Sequence, residues 1–223
     1  GSQMCTTTEC PPAHFFVEGM CVYEQDYNIL QEFLDANEYA QSLPAATGIP
    51  DLASECVNTD WWKMDETGYT RLVEISFSHK QLTSILPENI GDLDKLEILR
   101  LTDNHLIGDI PDNFTNLSNL KILKLNSNNL GCYEYDVGNA ICLVQCDDTE
   151  ECSGNLPEEI GALLKLDTLQ LSYNNLTGDI PESITQLGQL TYLEFSNNNF
   201  TGSIPEDIGA LSNLKYLYLN TNK

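Results

Sequence analysis

Leucines and isoleucines recur at a fixed interval over most of the chain. A phrase that opens with leucine or isoleucine followed by proline occurs five times, at Leu86, Ile110, Leu156, Ile180 and Ile204. Inside each phrase apolar and polar residues alternate, as at Leu99 and Leu101, and this alternation predicts a short strand with one buried face. Because a single strand of this kind cannot bury its apolar side chains, we expect successive phrases to stack on one another.

An asparagine keeps the same register in every phrase. It stands at Asn104, Asn128, Asn174, Asn198 and Asn222, with gaps of 24, 46, 24 and 24 residues, so one phrase carries an insertion of 22 residues. The asparagine amide can bond backbone groups where the chain turns off the strand, and Gly108, Gly178 and Gly202 permit a tight bend. LVEISFSHKQL, from Leu72, has the strand but places Lys80 at the asparagine position, which predicts a first, atypical coil.

L-x-x-L-x-L-x-x-N is the pattern of the leucine-rich repeat. LTGDIP at 176–181 and FTGSIP at 200–205 resemble the L-x-G-x-I-P segment of the plant-type subclass, and the similarity covers about residues 72–223. The resemblance implies an α/β repeat fold of about six coils, a leucine-rich-repeat solenoid with a parallel sheet on its concave face. It also implies a second, short strand near the L-x-G segment and irregular or 3₁₀ turns on the convex side.

Residues 1–71 are expected to form an N-terminal cap that covers the open apolar end of the first coil. Residues 26–36 have the pattern of an amphipathic helix that Asp26 could cap. Its apolar face would consist of Leu30, Phe33 and Leu34, with Ile29 at the flank. Trp61 and Trp62 should lie just before the first strand. A helix followed by cysteine and tryptophan resembles the cap of plant extracellular repeat proteins.

The eight cysteines form two clusters of four. Cys5, Cys10, Cys21 and Cys56 belong to the cap, and Cys132, Cys142, Cys146 and Cys152 belong to the insertion. An even, clustered set favours disulfides in an oxidising compartment. In the cap we predict Cys21 with Cys56 and Cys5 with Cys10, one of three pairings. Sequons at Asn113, Asn116, Asn175 and Asn199 are consistent with glycosylation on a secretory route, so we expect an extracellular protein.

The insertion, residues 131–153, reads GCYEYDVGNAICLVQCDDTEECS. It follows the Asn-x-Leu of one coil directly and should therefore emerge beyond the concave strand, on one edge of the solenoid. It carries six acidic residues and no lysine or arginine. A loop of this length without its own core needs covalent staples, which two internal disulfides would supply. Loops on rigid scaffolds often carry specificity, and islands in repeat receptors resemble this arrangement.

The charge balance restricts the partners. Ten lysines and arginines face 34 acidic residues, a net charge of -24, so nucleic acids and anionic membrane surfaces are repelled. No run approaches the ~18 apolar residues that a membrane helix needs. Cationic proteins, divalent cations and neutral glycans stay open as partners, and so does the reading that the acidity only provides solubility in salty water. The chain stops at Lys223, directly after the last asparagine, so we expect further repeats or pairing of the final coil with another chain.

The sequence contains few candidates for catalysis or metal binding. Of the motifs considered, H-E-x-x-H, G-x-S-x-G and the Walker pattern do not occur, and S-x-x-K occurs only inside the repeated phrase LSNLK. Cys5, Cys10, His14 and Cys21 could ligate zinc and DDTEE at 147–151 could hold calcium, but disulfides and a solvated acidic loop explain these residues better. We therefore predict no enzyme activity, no metal site and no cofactor.

Side chains that flank the buried leucines should form columns on the concave face. Two neighbouring columns read Glu74, Ile98, Ile122, Thr168, Tyr192, Tyr216 and Ser76, Arg100, Lys124, Gln170, Glu194, Tyr218. They would bring together a basic pair and, toward the C-terminal end, a tyrosine cluster. Exposed tyrosines on a rigid sheet are typical interface anchors and can stack on sugars, although aromatic residues also favour strands for structural reasons alone. The candidate ligand-binding residues are Arg100, Lys124, Tyr173, Tyr192, Tyr216 and Tyr218.

Three functional hypotheses follow from these features. The first is a non-enzymatic extracellular recognition module that binds a protein or peptide through its concave face and insertion loop, similar to the ectodomains of plant-type repeat receptors or to secreted enzyme inhibitors. The second is a structural or adhesive surface protein that binds glycan, ice or mineral, suggested by the column Thr102, Asn126, Ser172, Ser196, Asn220. The third, a hydrolase regulated by the insertion, lacks a supporting nucleophile–base pair.

Overall fold

The N-terminal part of the chain forms a small sheet and one helix. A computed structural model describes residues 14–17, 20–37, 61–66, 70–149 and 152–223. The elements of this part are β1 (His14–Val17), β2 (Met20–Tyr23), α1 (Glu24–Asp35), β3 (Trp62–Met64) and β4 (Thr70–Leu72). The four strands are ordered β1-β2-β4-β3 in the sheet. Cys5, Cys10, Cys56 and the Cys21 side chain lie outside the described residues, so the disulfide pairing in this part stays a prediction.

Helix α1 has the predicted apolar face but a different N-terminus. Its four apolar side chains are buried: Ile29, Leu30, Phe33 and Leu34. The expectation that Asp26 caps the helix was wrong, because the N-cap position is Tyr23 and no side chain bonds there. Asp26 lies instead inside the first turn, buried, where its carboxylate accepts hydrogen bonds from the Arg71 side chain and the Leu72 backbone N–H. Helix α1 is too short to cross a membrane, and no other helix in the described ranges could do so.

The cap packs directly on the first coil. Trp61 is buried and contacts Phe77 edge to face, with ring centroids 4.8 Å apart. Trp62 does not merely precede the first strand, as expected, but opens β3 and pairs with Leu72 of β4. After the helix, the buried Asn37 side chain accepts hydrogen bonds from the backbone of Thr83 and Ser84. Helix, tryptophans and Asn37 therefore fix the cap against the start of the solenoid.

The repeats form the predicted solenoid with a parallel concave sheet. Its strands are β5 (Glu74–Ser76), β6 (Ile98–Arg100), β7 (Ile122–Lys124), β10 (Thr168–Gln170), β11 (Tyr192–Glu194) and β12 (Tyr216–Tyr218). They lie in that order, all neighbours parallel and in register, with the leucines opposite one another. Leu99, Leu123, Leu169 and Leu193 are buried beneath the sheet. The predicted fold class is therefore confirmed.

The recurring asparagines form the predicted ladder of amides. In each case the side-chain oxygen accepts a backbone N–H from the preceding coil, and the side-chain nitrogen donates to a carbonyl in each of the two coils. Asn128 shows the pattern: it accepts from Leu106 at 3.0 Å and donates to Leu101 at 2.9 Å and Leu125 at 3.0 Å. The ladder replaces backbone pairing at the turn, where the chain leaves the sheet.

The convex side consists of turns, as the resemblance implied. Short 3₁₀ helices occupy one position in each complete coil: Ile90–Asp92, Asp112–Asn116, Ile160–Ala162, Glu182–Gln186 and Ile208–Ala210. Isolated parallel bridges, Ile85 with Ile107 and Asp179 with Thr201, mark the second, short strand. Gly108, Gly178 and Gly202 have positive φ, which confirms their role at the tight bend.

Candidate recognition surface

The concave face has the columns that the repeat predicts. Thr168 lies between Ile122 and Tyr192, and Gln170 lies between Lys124 and Glu194. The second column ends with Glu194 beside Tyr218. Because side chains alternate across a strand, both columns project to the same side, opposite the buried leucines. The concave face therefore presents two rows of side chains on a rigid frame.

Arg100 and Lys124 are cross-strand neighbours on β6 and β7, as the columns predict, but Arg100 also forms an ion pair within the chain. An Arg100 nitrogen lies 2.6 Å from a carboxylate oxygen of Glu74, so this guanidinium is already engaged. Glu74 stands in the neighbouring column one strand away, and long side chains can reach such diagonal positions. Lys124 forms no ion pair among the residues that the structure describes. Reading the columns separately missed the diagonal contact.

Three tyrosines come together at the C-terminal end of the sheet, as the register predicts. The Tyr192 ring lies 5.3 Å from that of Tyr216 and 5.7 Å from that of Tyr218, measured between centroids. Tyr216 and Tyr218 expose 52% and 41% of their surface, whereas Tyr192 is partly buried between neighbours. We call Tyr192, Tyr216 and Tyr218 the tyrosine cluster. It offers a broad, partly exposed aromatic surface.

Glu194 is the charged neighbour of the tyrosine cluster. Its carboxylate accepts a hydrogen bond from the Gln170 amide at 2.7 Å. The pKa of the Tyr192 phenol is raised, first because the group is partly buried and then because of the negative charge of Glu194. The polar side chains of the second column are thus held in place by one another.

Tyr173 stands apart from the tyrosine cluster. It lies beyond the end of β10 with a backbone φ of 56°, and it exposes 60% of its surface. The equivalent residue of every coil has a positive φ, including Asp103, Ser127 and Asn197. This left-handed position is where the chain turns off the sheet. Because a different residue type occupies it in each coil, the sequence does not reveal the left-handed backbone conformation.

The insertion folds into a disulfide-linked hairpin. Strands β8 (Cys132–Asp136) and β9 (Ile141–Gln145) pair antiparallel, a structure that the sequence analysis treated only as a loop. Both internal disulfides are present, Cys132 with Cys142 and Cys146 with Cys152. At the turn, hydrogen bonds from the Asn139 side chain and from the Asn139 and Gly138 backbones to Asp136 lower the pKa of that carboxyl.

The hairpin is anchored to the coil at its base and open at its tip. The Asp109 carboxylate accepts hydrogen bonds from the backbone of Ser153 and Gly154, and the Tyr135 ring stacks on His105 at 6.1 Å. Large apolar side chains are exposed along the hairpin, from its base to its turn: Tyr133, Val137, Ile141 and Leu143. A hairpin that combines exposed apolar residues with acidic ones forms a second candidate surface.

Within the described residues, neither the sequons nor the possible metal ligands add a site of defined geometry, and the zinc candidates Cys5 and Cys10 and part of the calcium candidate 147–151 lie outside those residues. The side-chain amide of Asn113 donates to the backbone carbonyl of Glu88, whereas Asn116 is exposed, and glycosylation of the four sequons stays a prediction. Asp109, Cys146 and Cys152 place ligand atoms within 4.8 Å of one another, but the two sulfurs are bonded to each other and so cannot act as thiolates.

Comparison with known proteins identifies the repeat. Family models described as leucine-rich repeats match residues 164–223 and 95–117, and no curated protein sequence matches the chain. The ectodomain of the receptor kinase SOBIR1 from Arabidopsis thaliana has a similar fold, with a TM-score of 0.66 and 24% identity over 90% of this chain and 94% of that one.

Two longer receptors are also similar. PEPR1, in its structure with AtPEP1, has a TM-score of 0.55 and 29% identity over 89% of this chain and 28% of that one. The Arabidopsis receptor kinase HAESA, in complex with the peptide hormone IDA and the co-receptor SERK1, has a TM-score of 0.54 and 25% identity over 87% of this chain. The chain covers 33% of HAESA and 28% of PEPR1, so it spans about a third of the length of these receptors or less. The repeat, the sheet and the matches together show that the chain belongs to the leucine-rich repeat proteins, with repeats of the plant type.

Proposed function

We propose that the chain is an extracellular, non-enzymatic recognition module that binds a protein or peptide partner through its concave face and its insertion hairpin. The tyrosine cluster is the observation that carries this proposal. Three neighbouring aromatic rings, attached to a hydrogen-bonded sheet, provide contact area while losing little conformational entropy on binding.

The similar receptors and the covalent structure support the proposal. HAESA, whose structure holds a peptide hormone and a co-receptor, is similar to 87% of this chain, which corresponds to 33% of HAESA. Two disulfides in the hairpin fit an oxidising compartment such as the extracellular space. The size of the sheet suits a macromolecule, since six parallel strands span roughly 25 Å at ~4.8 Å each.

The hairpin extends the proposed surface at one edge of the sheet. It leaves the coil after Leu130, where Gly131 and Cys132 bond the backbone of Gly108, and the chain rejoins the repeat at Gly154. Its exposed apolar residues would add contacts outside the reach of the concave columns, in the manner of specificity loops on other rigid scaffolds.

The test uses peptides selected from a display library against the purified chain. We expect simultaneous replacement of Tyr192, Tyr216 and Tyr218 by alanine to weaken the selected peptides by about 30-fold or more, the effect of losing an interface hot spot. The variant Leu164→Ala, which removes an exposed apolar side chain outside the concave columns and the hairpin, is the control and should leave peptide affinity unchanged. Circular dichroism and thermal unfolding verify that the triple variant is folded. Selected peptides that bind the triple variant as tightly as the original chain would refute the assignment of the tyrosine cluster.

A further inference from the structure

Four side chains form a square at the C-terminal end of the concave face. Tyr192 lies beside Tyr216 across the strands, and Glu194 lies beside Tyr218 in the same way. Positions two apart on one strand share a face, so Glu194 follows Tyr192 within the same surface. The square therefore consists of three aromatic rings and one carboxylate.

We propose that this square binds a cationic side chain of the partner, and specifically the guanidinium group of an arginine. The inference rests on the proposed function and names the chemistry that the tyrosine cluster recognises. Tyrosine rings have electronegative faces that attract cations within about 6 Å of the centroid. Glu194 supplies a formal negative charge beside those faces.

The carboxylate of Glu194 is oriented but retains capacity to bind. Gln170 donates one hydrogen bond to it at 2.7 Å and the Tyr192 phenol is a second hydrogen-bonding partner, whereas a carboxylate can accept about four. Within the described ranges no lysine or arginine forms an ion pair with Glu194. Lys124 stands two strands away in the same column, a separation of roughly 10 Å at ~4.8 Å per strand. The charge of Glu194 is thus available to an incoming cation.

The same face already contains an example of the interaction. At the other end of the sheet Glu74 is paired with Arg100 at 2.6 Å, so a carboxylate of the concave surface there binds a guanidinium from its own chain. At Glu194 the corresponding diagonal neighbours are Tyr216 and Thr168 rather than an arginine. A partner's arginine can take the equivalent place.

Arginine fits this square better than the alternatives. Its planar guanidinium is weakly hydrated, stacks on aromatic faces and forms two parallel hydrogen bonds to a carboxylate, whereas the lysine ammonium is compact and strongly hydrated. A neutral sugar could stack on the tyrosines and donate a hydroxyl hydrogen bond to Glu194, but it carries no positive charge to complement the carboxylate. The net charge of -24 also draws cationic partners toward the molecule.

The experiment compares two isosteric probes, N-acetyl-arginine amide and N-acetyl-citrulline amide, by NMR with carbon-13 in the tyrosine rings. We expect arginine to shift the resonances of Tyr192 and Tyr218 saturably, and citrulline, which is neutral, to bind at least about fivefold more weakly. Glu194→Gln should weaken arginine by about fivefold, as should Tyr218→Leu, whereas Tyr218→Phe keeps the aromatic face and should change it less than about twofold. Glu158→Gln, which removes an exposed carboxylate from the convex side, is the matched control and should leave arginine binding unchanged.

Three results would overturn the proposal. The first is equal binding of the arginine and citrulline probes, and the second is unchanged arginine binding in Glu194→Gln. The third is a neutral cello-oligosaccharide that shifts the same tyrosine resonances in both the original chain and Glu194→Gln. The library-selected peptides separate this failure from that of the proposed function. If they lose affinity on the triple alanine variant but not on Glu194→Gln, the recognition module stands and the arginine proposal falls. If they bind the triple variant unchanged, both fall.

Discussion

One buried amide per coil connects neighbouring coils at the end of each strand. Each ladder asparagine satisfies backbone groups on two successive turns of the chain, which no apolar side chain of similar size could do. Removal of the Asn128 amide would leave the buried Leu106 N–H without its partner, and the carbonyls of Leu101 and Leu125 would each lose one of two amide donors. Unpaired buried polar groups are costly, so these positions determine the stability of the stack more than their surface area suggests.

Asn128→Ala tests this at a single residue. The Asn128 side chain is buried and bonds Leu101, Leu106 and Leu125, so we expect the free energy of unfolding to fall by about 3 kcal/mol. Asn126→Ala is the matched control, because Asn126 is only half-buried and its side chain accepts one bond from Thr102. Urea denaturation of both variants measures the difference. Equal losses in the two would show that the ladder contributes no special stabilisation.

The repeat made the ladder and the columns predictable, because a fixed period transfers the environment of one asparagine or tyrosine to all its equivalents. Individual contacts between column side chains, whether within one column or between two, were not predictable in the same way. The pairs Glu74 with Arg100 and Gln170 with Glu194 depend on which rotamers long side chains adopt on the assembled sheet. The residue-scale interpretation of the site therefore needed coordinates.

At the scale of elements, the segments outside the repeat were the hardest to predict. The hairpin of β8 and β9 occurs once, so no internal copy shows its pairing, and its cysteines obscured the strand pattern. The apolar pattern placed helix α1 correctly, but Asp26, predicted to cap the helix, lies inside it and binds β4 instead. Asp26 faces the first coil, where Arg71 and the Leu72 N–H stabilise it more than a cap would. Tertiary contacts decided what periodicity could not.

The junction of α1 with β4 gives a prediction that depends on pH. Burial raises the pKa of Asp26, which opposes the hydrogen bonds from Arg71. Loss of those bonds should raise this pKa further and leave an unpaired buried carboxylate at pH 7. We therefore expect Arg71→Met to lower the free energy of unfolding by about 3 kcal/mol at pH 7, since breaking a buried ion pair is costly. Asp94 is the second carboxylate that contacts Arg71. Burial alone would raise the pKa of Asp94, but hydrogen bonds and charges from Lys95 and Arg71 lower it. In the Arg71→Met variant Asp94 still has Lys95 as its partner.

The sign follows from the raised pKa. A carboxyl whose pKa is higher in the folded state than in the unfolded chain costs stability while ionised, and the cost disappears as the pH falls through the folded value. The deficit of Arg71→Met should therefore shrink between pH 7 and pH 4 in denaturation series. The double variant Asp26→Asn, Arg71→Met is the control and should lack this pH dependence. A deficit that stays constant over the range would contradict the assignment.

At the scale of the whole molecule, the repeat places a negative charge at the same position in each complete coil. The residue after each repeat proline is acidic and exposed in five coils: Glu88, Asp112, Glu158, Glu182 and Glu206. None of the five belongs to an ion pair in the described part of the chain. Stacking brings these carboxylates into one row along the convex side, so folding works against their mutual repulsion. The same acidity favours a cationic partner on the opposite, concave face.

Salt should therefore stabilise the isolated chain. The screening length is about 30 Å at 0.01 M salt and about 3 Å at 1 M, so added sodium chloride removes repulsion between coils. If this relieves about 2 kcal/mol, the melting temperature should rise by roughly 4–8 °C.

Replacing Glu158, Glu182 and Glu206 by glutamine should raise the melting temperature at low salt and reduce its dependence on salt. Glu97→Gln is the control because Glu97 is paired with Lys121 at 2.9 Å, and its removal should not stabilise the chain. A melting temperature that falls as salt is added would show that ion pairs, rather than repulsion, dominate the electrostatics of the solenoid.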